Sequence, residues 1–431
     1  MSKLKPAENP NYTGNLTINV TSSIGLIPIN NATITISLKS TPQSPILTLT
    51  TDNSGQTKTI QLPAPNFSYS QEPGDIQPYT EYNIDVSAPG YETVRVSGTE
   101  ILPDVNAIQP ITMNPLNLAE QNPITSTPEI PSEGEVENIL IPDHTLYGDY
   151  PAKIPEAEIK PIDESGEIVL SRVVIPEYVI VHDGLPSDSS APNYYVRYTD
   201  YIKNVVSSEI YATWPESTIY ANTLAIMSFT LNRVYTEWYR NQGYDFTITS
   251  STAYDQKWIY GRNIYENIDR IVDSIFANYL SRPGVLQPIF TSYCNGTTAT
   301  CTGLSQWGSK YLGDQGYSPI EIIRYYYGYD MYINSTTYIS GVPYSWPGYD
   351  LSTGSSGSKV LQLQQQLNRI AQNYPAIPRI QEDGIYGSNT ANAIKKFQSI
   401  FGLPATGIVD YPTWYKVSEI FVGVSRISEP D

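Results

Sequence analysis

Few side chains in this 431-residue chain combine reactive chemistry with a partner at useful spacing. His144 sits in an acidic stretch and His182 at the end of an apolar run. Neither has a Ser or Cys at recognisable spacing, and two His in all exclude most multi-histidine metal enzymes. Cys294 and Cys301 flank the run NGTTAT. They are spaced either to close a short disulfide loop or to stand as two separate reducible thiols. Carboxylates remain. Glu209 lies among Val205, Val206, Ile210 and Trp214, and apolar neighbours favour the neutral form of a carboxyl and suit it to donate a proton. The same position also fits an ordinary surface glutamate at a helix end.

The elements around these residues are legible from periodicity and turn chemistry. Between residue 11 and about 112, apolar residues alternate: Leu16, Ile18 and Val20; Ile34, Ile36 and Leu38; Leu47 and Leu49; Ile84 and Val86; Val94 and Val96. Asn30-Asn31, Asp52-Asn53-Ser54-Gly55 and Pro89-Gly90 punctuate the runs. This predicts an N-terminal antiparallel β-sandwich over residues 1–115. Residues 116–170 carry twelve acids against Lys153 and Lys160 with recurrent Pro, which predicts an exposed linker. Within it, the stretch from about Ala119 to Tyr150 is the expected site of proteolytic cutting. Residues 171–350 read as an α+β unit, with helices expected at 198–210, 216–240 and 266–280. After the Gly/Ser run 352–358, residues 351–431 read as a small three-helix unit built on 359–371 and 389–402.

Composition narrows the partners. The balance of 25 Lys+Arg against 43 Asp+Glu gives a net charge of −18, which argues against nucleic acid and anionic membrane surfaces. A polar polymer bound by stacking and hydrogen bonds remains open, and 36 Tyr would supply rings for it, although sheet packing uses the same residue. The start MSKLKPAENPNYTGNLTINV has no apolar core of a secretory signal, and no run of 18 apolar residues predicts a membrane span.

Three stretches resemble known families. VLQLQQQLN, DGIYGSNTANAIKKFQ (383–398) and GLPATGIVDYPTW (402–414) together resemble the small peptidoglycan-binding domain. In the central unit, YTDYIKNVVSSEIYATWPESTIYANTLAIMSFT (198–230) and GLSQWGSKYLGDQGYSPIEIIRYYYG (303–328) resemble the SpoIID-type lytic transglycosylase domain. VSAPGYETVRVSG (86–98) is weakly similar to carboxypeptidase-regulatory-like sandwich modules. The SpoIID resemblance places the essential acid at Glu209 and implies substrate contacts from Tyr293, Ser305, Gln306 and Trp307. A transglycosylase needs only one such carboxyl, because the C6 hydroxyl of the same muramyl sugar attacks its own anomeric carbon.

The chain departs from that pattern in two places. The Lys and Arg that many members carry after Trp-Pro correspond to Tyr220 and Met227, leaving Arg233 and Arg262 as substitutes. The zinc-ligating His-Cys pair of some members falls nearest Tyr254-Asp255, so no cofactor and no metal are expected. The full order of units is similar to the clostridial spore-cortex-lytic enzymes. That resemblance implies a zymogen held in the spore cortex or coat region, with an inhibitory pro-region and an activating serine protease. Its substrate would be spore cortex peptidoglycan. A non-catalytic wall-binding activator of an amidase is the alternative.

Overall fold

The computed structural model describes residues 12–24, 27–116, 136–146, 170, 172–339, 347 and 349–425. Alternation folds the amino-terminal unit into β1 (Tyr12–Ser22), β2 (Thr33–Leu38), β3 (Pro45–Thr50), β4 (Ile60–Ala64), β5 (Thr80–Ser87), β6 (Thr93–Ile101) and β7 (Asn106–Met113). The residues that period two turns inward are the buried ones: Leu16, Ile18, Val20, Ile34, Ile36, Ile84, Val86, Val94 and Val96 lie in one core. One sheet runs β7–β1–β4, and the other β3–β2–β5–β6–β8, where β8 is Val136–Leu140. The expected all-antiparallel arrangement is corrected at two pairs, because β1 runs parallel to β7 and β6 parallel to β8. Parallel partners cannot be joined by a tight hairpin, and neither pair is adjacent in sequence.

Strand β8 also corrects the reading of 116–170 as an exposed linker. Residues 117–135 and 147–169, with most of the expected cutting window, lie outside the described residues. Residues 136–146 between them are packed, and Ile139, Ile141 and His144 are buried. Two glycines permit the close fit. Gly98 (φ +105°) faces the Ile141 carbonyl and Gly261 (φ +73°) faces the Ile139 side chain, and a Cβ at either would collide. The two isoleucines are diluted in sequence by the acids around them, so local composition hides their role.

The central unit contains β9 (Tyr178–His182), β10 (Asn193–Arg197), α1 (Tyr198–Glu209), α2 (Glu216–Tyr235), β11 (Ile248–Thr249), β12 (Ile264–Tyr265), α3 (Glu266–Ile275) and β13 (Asn278–Ser281). It continues through β14 (Tyr293–Cys294), β15 (Leu304–Ser305), α4 (Gln306–Asp314), α5 (Pro319–Tyr327) and β16 (Tyr332–Ser335). Helix α2 is its axis and packs against α1, α3, α4, α5 and β13. Its buried hydroxyls bond back one turn, Thr223 to Ile219 O (2.8 Å) and Ser228 to Leu224 O (2.8 Å), so a Ser/Thr-rich helix can be enclosed on all sides. The helix expected to reach residue 280 ends at Ile275. Residues 278–281 instead pair with β16, and Leu280 N donates to Ser228 Oγ at 2.8 Å. Strand β12 pairs with β7, so one sheet spans both units.

The last unit holds α6 (Ser358–Asn373), α7 (Ser388–Ile400) and α8 (Tyr411–Ser425) around a core of its own, making eight α-helices among the described residues. The Gly/Ser run before it is part of the unit: Gly357 N donates to Gly384 O and Tyr386 N to Ser355 O, both at 2.9 Å. Helix α8 docks on the central unit. The Tyr415 ring stacks on Phe276 (4.2 Å between centroids), Arg197 pairs with Glu419 (3.0 Å) and Lys416 with Asp273 (3.6 Å). Among the described residues no helix is long and apolar enough to cross a membrane.

Candidate active site

Glu209 is the last residue of α1 and is fully buried. Its Oε1 accepts the backbone N–H of Lys257 at 2.8 Å. Burial pushes the carboxyl from its ordinary 4.5 up to about 7. The Lys257 N–H, the Tyr293 hydroxyl and the Lys257 charge oppose that rise without cancelling it. The position at a helix C-terminus works in the same direction as burial, because the carbonyl end of the helix disfavours negative charge. A carboxyl protonated near neutrality is the form that donates a proton.

Two amide side chains hold the loop that faces Glu209. Asn204 on α1 clamps Ile259 from both sides, donating to its carbonyl (2.7 Å) and accepting its N–H (2.9 Å). Gln256 is tied to three elements: Tyr201 of α1 donates to its Oε1 (3.1 Å), and its Nε2 donates to Ile226 O of α2 (3.0 Å) and to the Tyr293 hydroxyl of β14 (3.1 Å). Lys257 follows directly, so its N–H is aimed by the packing of Gln256.

The cations are not where the resemblance would put them. Met227 is buried and Tyr220 half-buried on α2, and neither carries charge. Lys257, from the loop before β12, lies beside Glu209 instead, and Arg262 of the same loop bonds to Ser207 O two residues earlier on α1. The Lys257 ammonium donates to Asp143 O (3.2 Å) and Thr145 Oγ1 (2.8 Å), and burial followed by the nearby Arg262 charge brings it down to about 8. The Arg262 guanidinium forks onto Glu100 of β6, Nη1 to Oε1 at 2.8 Å and Nη2 to Oε2 at 2.6 Å. Nη2 also donates to His144 Nδ1 (2.8 Å) and Ser207 O (3.2 Å). Burial alone would raise Glu100, but the Arg262 guanidinium holds it below its ordinary value, whereas burial drives His144 down to about 4 and keeps it neutral.

Arg233, the other cation anticipated as a substitute, is engaged elsewhere. It pairs with Asp255 at 2.8 Å, both side chains fully buried, and Asp255 also accepts from Tyr239 (2.5 Å) and from Thr249 N and Oγ1 (2.9 and 2.7 Å). The place where the resemblance would seat zinc ligands is therefore occupied by a buried ion pair in which both Asp255 oxygens already accept hydrogen bonds. Among the described residues no group of three or more His, Cys, Asp or Glu side chains is arranged to hold a metal ion.

The second block meets the first through β14 and β15, whose parallel pairing sets Tyr293 opposite Leu304 and Cys294 opposite Ser305. The Tyr293 hydroxyl lies at the Glu209 carboxyl and also accepts from Gln256 Nε2 at 3.1 Å. Ser305 caps α4, its Oγ accepting Gly308 N–H at 2.9 Å. Gln306 is buried with neither amide atom hydrogen-bonded to a described residue. Trp307 packs on Trp214 (4.9 Å), and Tyr211 stands edge-on to both (5.8 and 6.2 Å). Cys294 and Cys301 form a disulfide that closes the NGTTAT loop.

Residues 191–275 match the family described as stage II sporulation protein (SpoIID), and 356–417 match the putative peptidoglycan binding domain. The chain thus carries a SpoIID domain and a peptidoglycan-binding domain. The SpoIID match encloses Glu209, Lys257 and Arg262. A zinc D-Ala-D-Ala carboxypeptidase of Streptomyces albus G is 41% identical over 78 residues, 18% of this chain and 29% of its own length. The chain therefore spans under a third of that relative. Among solved structures, the SleB N-terminal domain is 29% identical, covering 17% of this chain and 93% of that one with a TM-score of 0.15. The 3-chlorocatechol 1,2-dioxygenase of Rhodococcus opacus 1CP is 12% identical over 27% of this chain and 66% of that one, with a TM-score of 0.17.

Several residues of the site escape sequence reasoning. Gln256 and Lys257 carry no motif, and Tyr211 is one of 36 tyrosines. Glu100 and His144 meet Arg262 from 162 and 118 residues away, and no local pattern encodes that.

Proposed function

We propose that this protein is the zymogen of a lytic transglycosylase acting on the glycan strands of spore cortex peptidoglycan, stored in the spore and activated by a serine protease. Glu209 is its acid. The neutral carboxyl protonates the glycosidic oxygen as the bond to the anomeric carbon breaks. The C6 hydroxyl of the same muramyl sugar then closes on that carbon and returns its proton to the Glu209 carboxylate, leaving a 1,6-anhydro end. The cycle consumes no water and no net proton, so one carboxyl suffices. Tyr293, Ser305, Gln306 and Trp307 are assigned to the substrate-binding wall, and the carboxy-terminal unit holds the polymer.

One observation carries the reading: a carboxyl raised to about 7 at the end of a helix inside the SpoIID match. The zymogen reading is supported by what covers it. Residues 143–146 bond to Lys257 and Asn295, and the Ser70 carbonyl of the amino-terminal unit accepts Trp214 Nε1–H at 2.8 Å, so the amino-terminal part of the chain packs against the residues around Glu209.

The test is mass spectrometry of cortex fragments released by the full chain, before and after a cut within residues 147–169, with and without Glu209→Gln. The cut wild type should release anhydro-muramyl ends faster than the uncut chain, and the Gln variant about 10²-fold more slowly or worse. Release by the cut Gln variant at the wild-type rate would refute the assignment of the acid. Products lacking anhydro ends, or release only when an amidase is added, would favour the amidase-activator reading.

A further inference from the structure

We propose that Arg262, with Lys257 beside it, is a carboxylate-binding subsite for an acidic glycan, and that Glu100 occupies it in the uncut chain as a stand-in for the ligand's carboxylate. The proposal rests on the reading of Glu209 as the acid of a glycan cleft, and extends it to the recognition of charge on the polymer.

The geometry of the pair is that of ligand recognition. Two parallel bonds at 2.8 and 2.6 Å between one guanidinium and one carboxylate are the fork by which arginine reads a free carboxylate. Fold stability does not account for it. Both side chains are fully buried, and two well-packed apolar residues would join the units as firmly or more so, because burying the charges costs about what their attraction returns. Arg262 is anchored from its own side as well. Its bond to Ser207 O, two residues before Glu209, keeps the guanidinium at the end of α1 whether or not Glu100 is present.

The other acceptors of both cations belong to the amino-terminal part of the chain. Glu100 and His144 serve Arg262, and Asp143 and Thr145 serve Lys257. Removing residues up to 146 strips both cations of those acceptors in one event, and the two lie close enough that the Arg262 charge lowers the Lys257 ammonium. His144 also lies against Tyr211 (4.8 Å between rings), so its departure uncovers the Tyr211–Trp214–Trp307 cluster, whose faces suit a sugar ring. A chain of net charge −18 repels an anionic polymer at long range, and two cations at the cleft give that polymer a local place to bind. On a peptidoglycan strand the carboxylate would come from the lactyl group or from the stem peptide.

The test uses the full chain with a protease site inserted within residues 147–169, cut and kept with both pieces together. Soluble strands are titrated calorimetrically in three forms: native, stripped of stem peptides so that only lactyl carboxylates remain, and with all carboxylates amidated. The cut wild type should bind native strands about 10-fold to 100-fold tighter than amidated ones. Arg262→Gln should bring native strands to the amidated level, and Arg262→Lys should restore part of the preference. Stripped strands that bind like native ones assign the lactyl carboxylate, and stripped strands that bind like amidated ones assign the stem peptide. In the cut chain with both pieces present, Glu100→Gln should tighten the binding of native strands, because the stand-in carboxylate no longer competes for Arg262. The double variant Glu100→Gln/Arg262→Gln removes both charges, so it retains the fold without the preference. Equal binding of native and amidated strands by the cut wild type would overturn the proposal, as would an equal loss on both in Arg262→Gln. A carboxylate preference in a protein that releases no anhydro ends would refute the transglycosylase reading alone, and release of anhydro ends without the preference would refute the subsite alone.

Discussion

Replacing Glu209 by Gln should make the central unit less sensitive to pH in a direction fixed by burial. The carboxyl rises from 4.5 to about 7 on folding, so between those values the folded chain binds a proton that the unfolded chain does not. Its contribution to stability is fully present below about pH 4.5 and is lost as pH rises through about 7. Between pH 5 and pH 8 the loss amounts to about 2.5 kcal/mol, at roughly 1.4 kcal/mol per tenfold change in proton affinity. His144 acts in the opposite sense, because its folded value of about 4 makes stability increase as pH rises from there through 6.5. The wild-type profile is therefore a sum, and the difference between wild type and Glu209→Gln isolates the carboxyl, since Gln does not titrate. Urea unfolding followed by tryptophan fluorescence suits the measurement, because Trp214 and Trp307 lie in the unit concerned. Wild type should lose about 2.5 kcal/mol relative to the Gln variant on going from pH 5 to pH 8. Parallel profiles for the two proteins would show that Glu209 is ionised in the folded chain at pH 5 and would remove the physical basis for its role as acid.

Two further outcomes follow from buried contacts. Asp255→Ala leaves the Arg233 guanidinium buried without its carboxylate and should destabilise the chain by about 3–5 kcal/mol in urea unfolding, while a chelator should leave glycan cleavage by the wild type unchanged. Tyr415→Ala removes the ring stacked on Phe276 and should cost about 3 kcal/mol and lower cleavage of short soluble glycans as well as insoluble wall; an effect confined to insoluble wall would mean that the carboxy-terminal unit serves only as a tether.

What the sequence reveals of this fold depends on how local the determinant is. Period-two runs identify β1, β2, β5 and β6 and the face each buries, and helical spacing locates α1, α2, α6 and α7 to within a few residues, because both patterns repeat within a single element. The helix expected to end at residue 280 is overrun by a strand pairing that sequence spacing cannot show, 278–281 against 332–335. Residues 136–146 are misread for a related reason: two buried isoleucines among acids look like a tether until two distant glycines make room for them. At the site, the apolar neighbours of Glu209 are adjacent in sequence and make it stand out. The Lys257 N–H reaches it only because Gln256 and Asn204 tie a separate loop to α1, and amide side chains in such a role carry no recognisable spacing.

The two neighbours of the central unit are joined to it differently. The amino-terminal unit shares one apolar core with it and adds polar contacts: the Glu100–Arg262 pair, Asn263 bonded to Glu100 N and O, Gln109 to Gly261 O, Ser70 to Trp214, and the short strand pairing of β7 with β12. The polar groups recover hydration on separation, so the cost of parting lies in the shared apolar core. The carboxy-terminal unit adds stacked rings, Phe276 against Tyr411 and Tyr415, whose apolar faces water does not replace. On the zymogen reading proposed above, the uncut tether would hold the amino-terminal unit against the central unit at high effective concentration, and a cut after residue 146 would leave only the contacts themselves to hold it. The carboxy-terminal unit, docked through its rings, would then remain with Glu209, so under that proposal one cut would free the amino-terminal part without parting Glu209 from the peptidoglycan-binding domain.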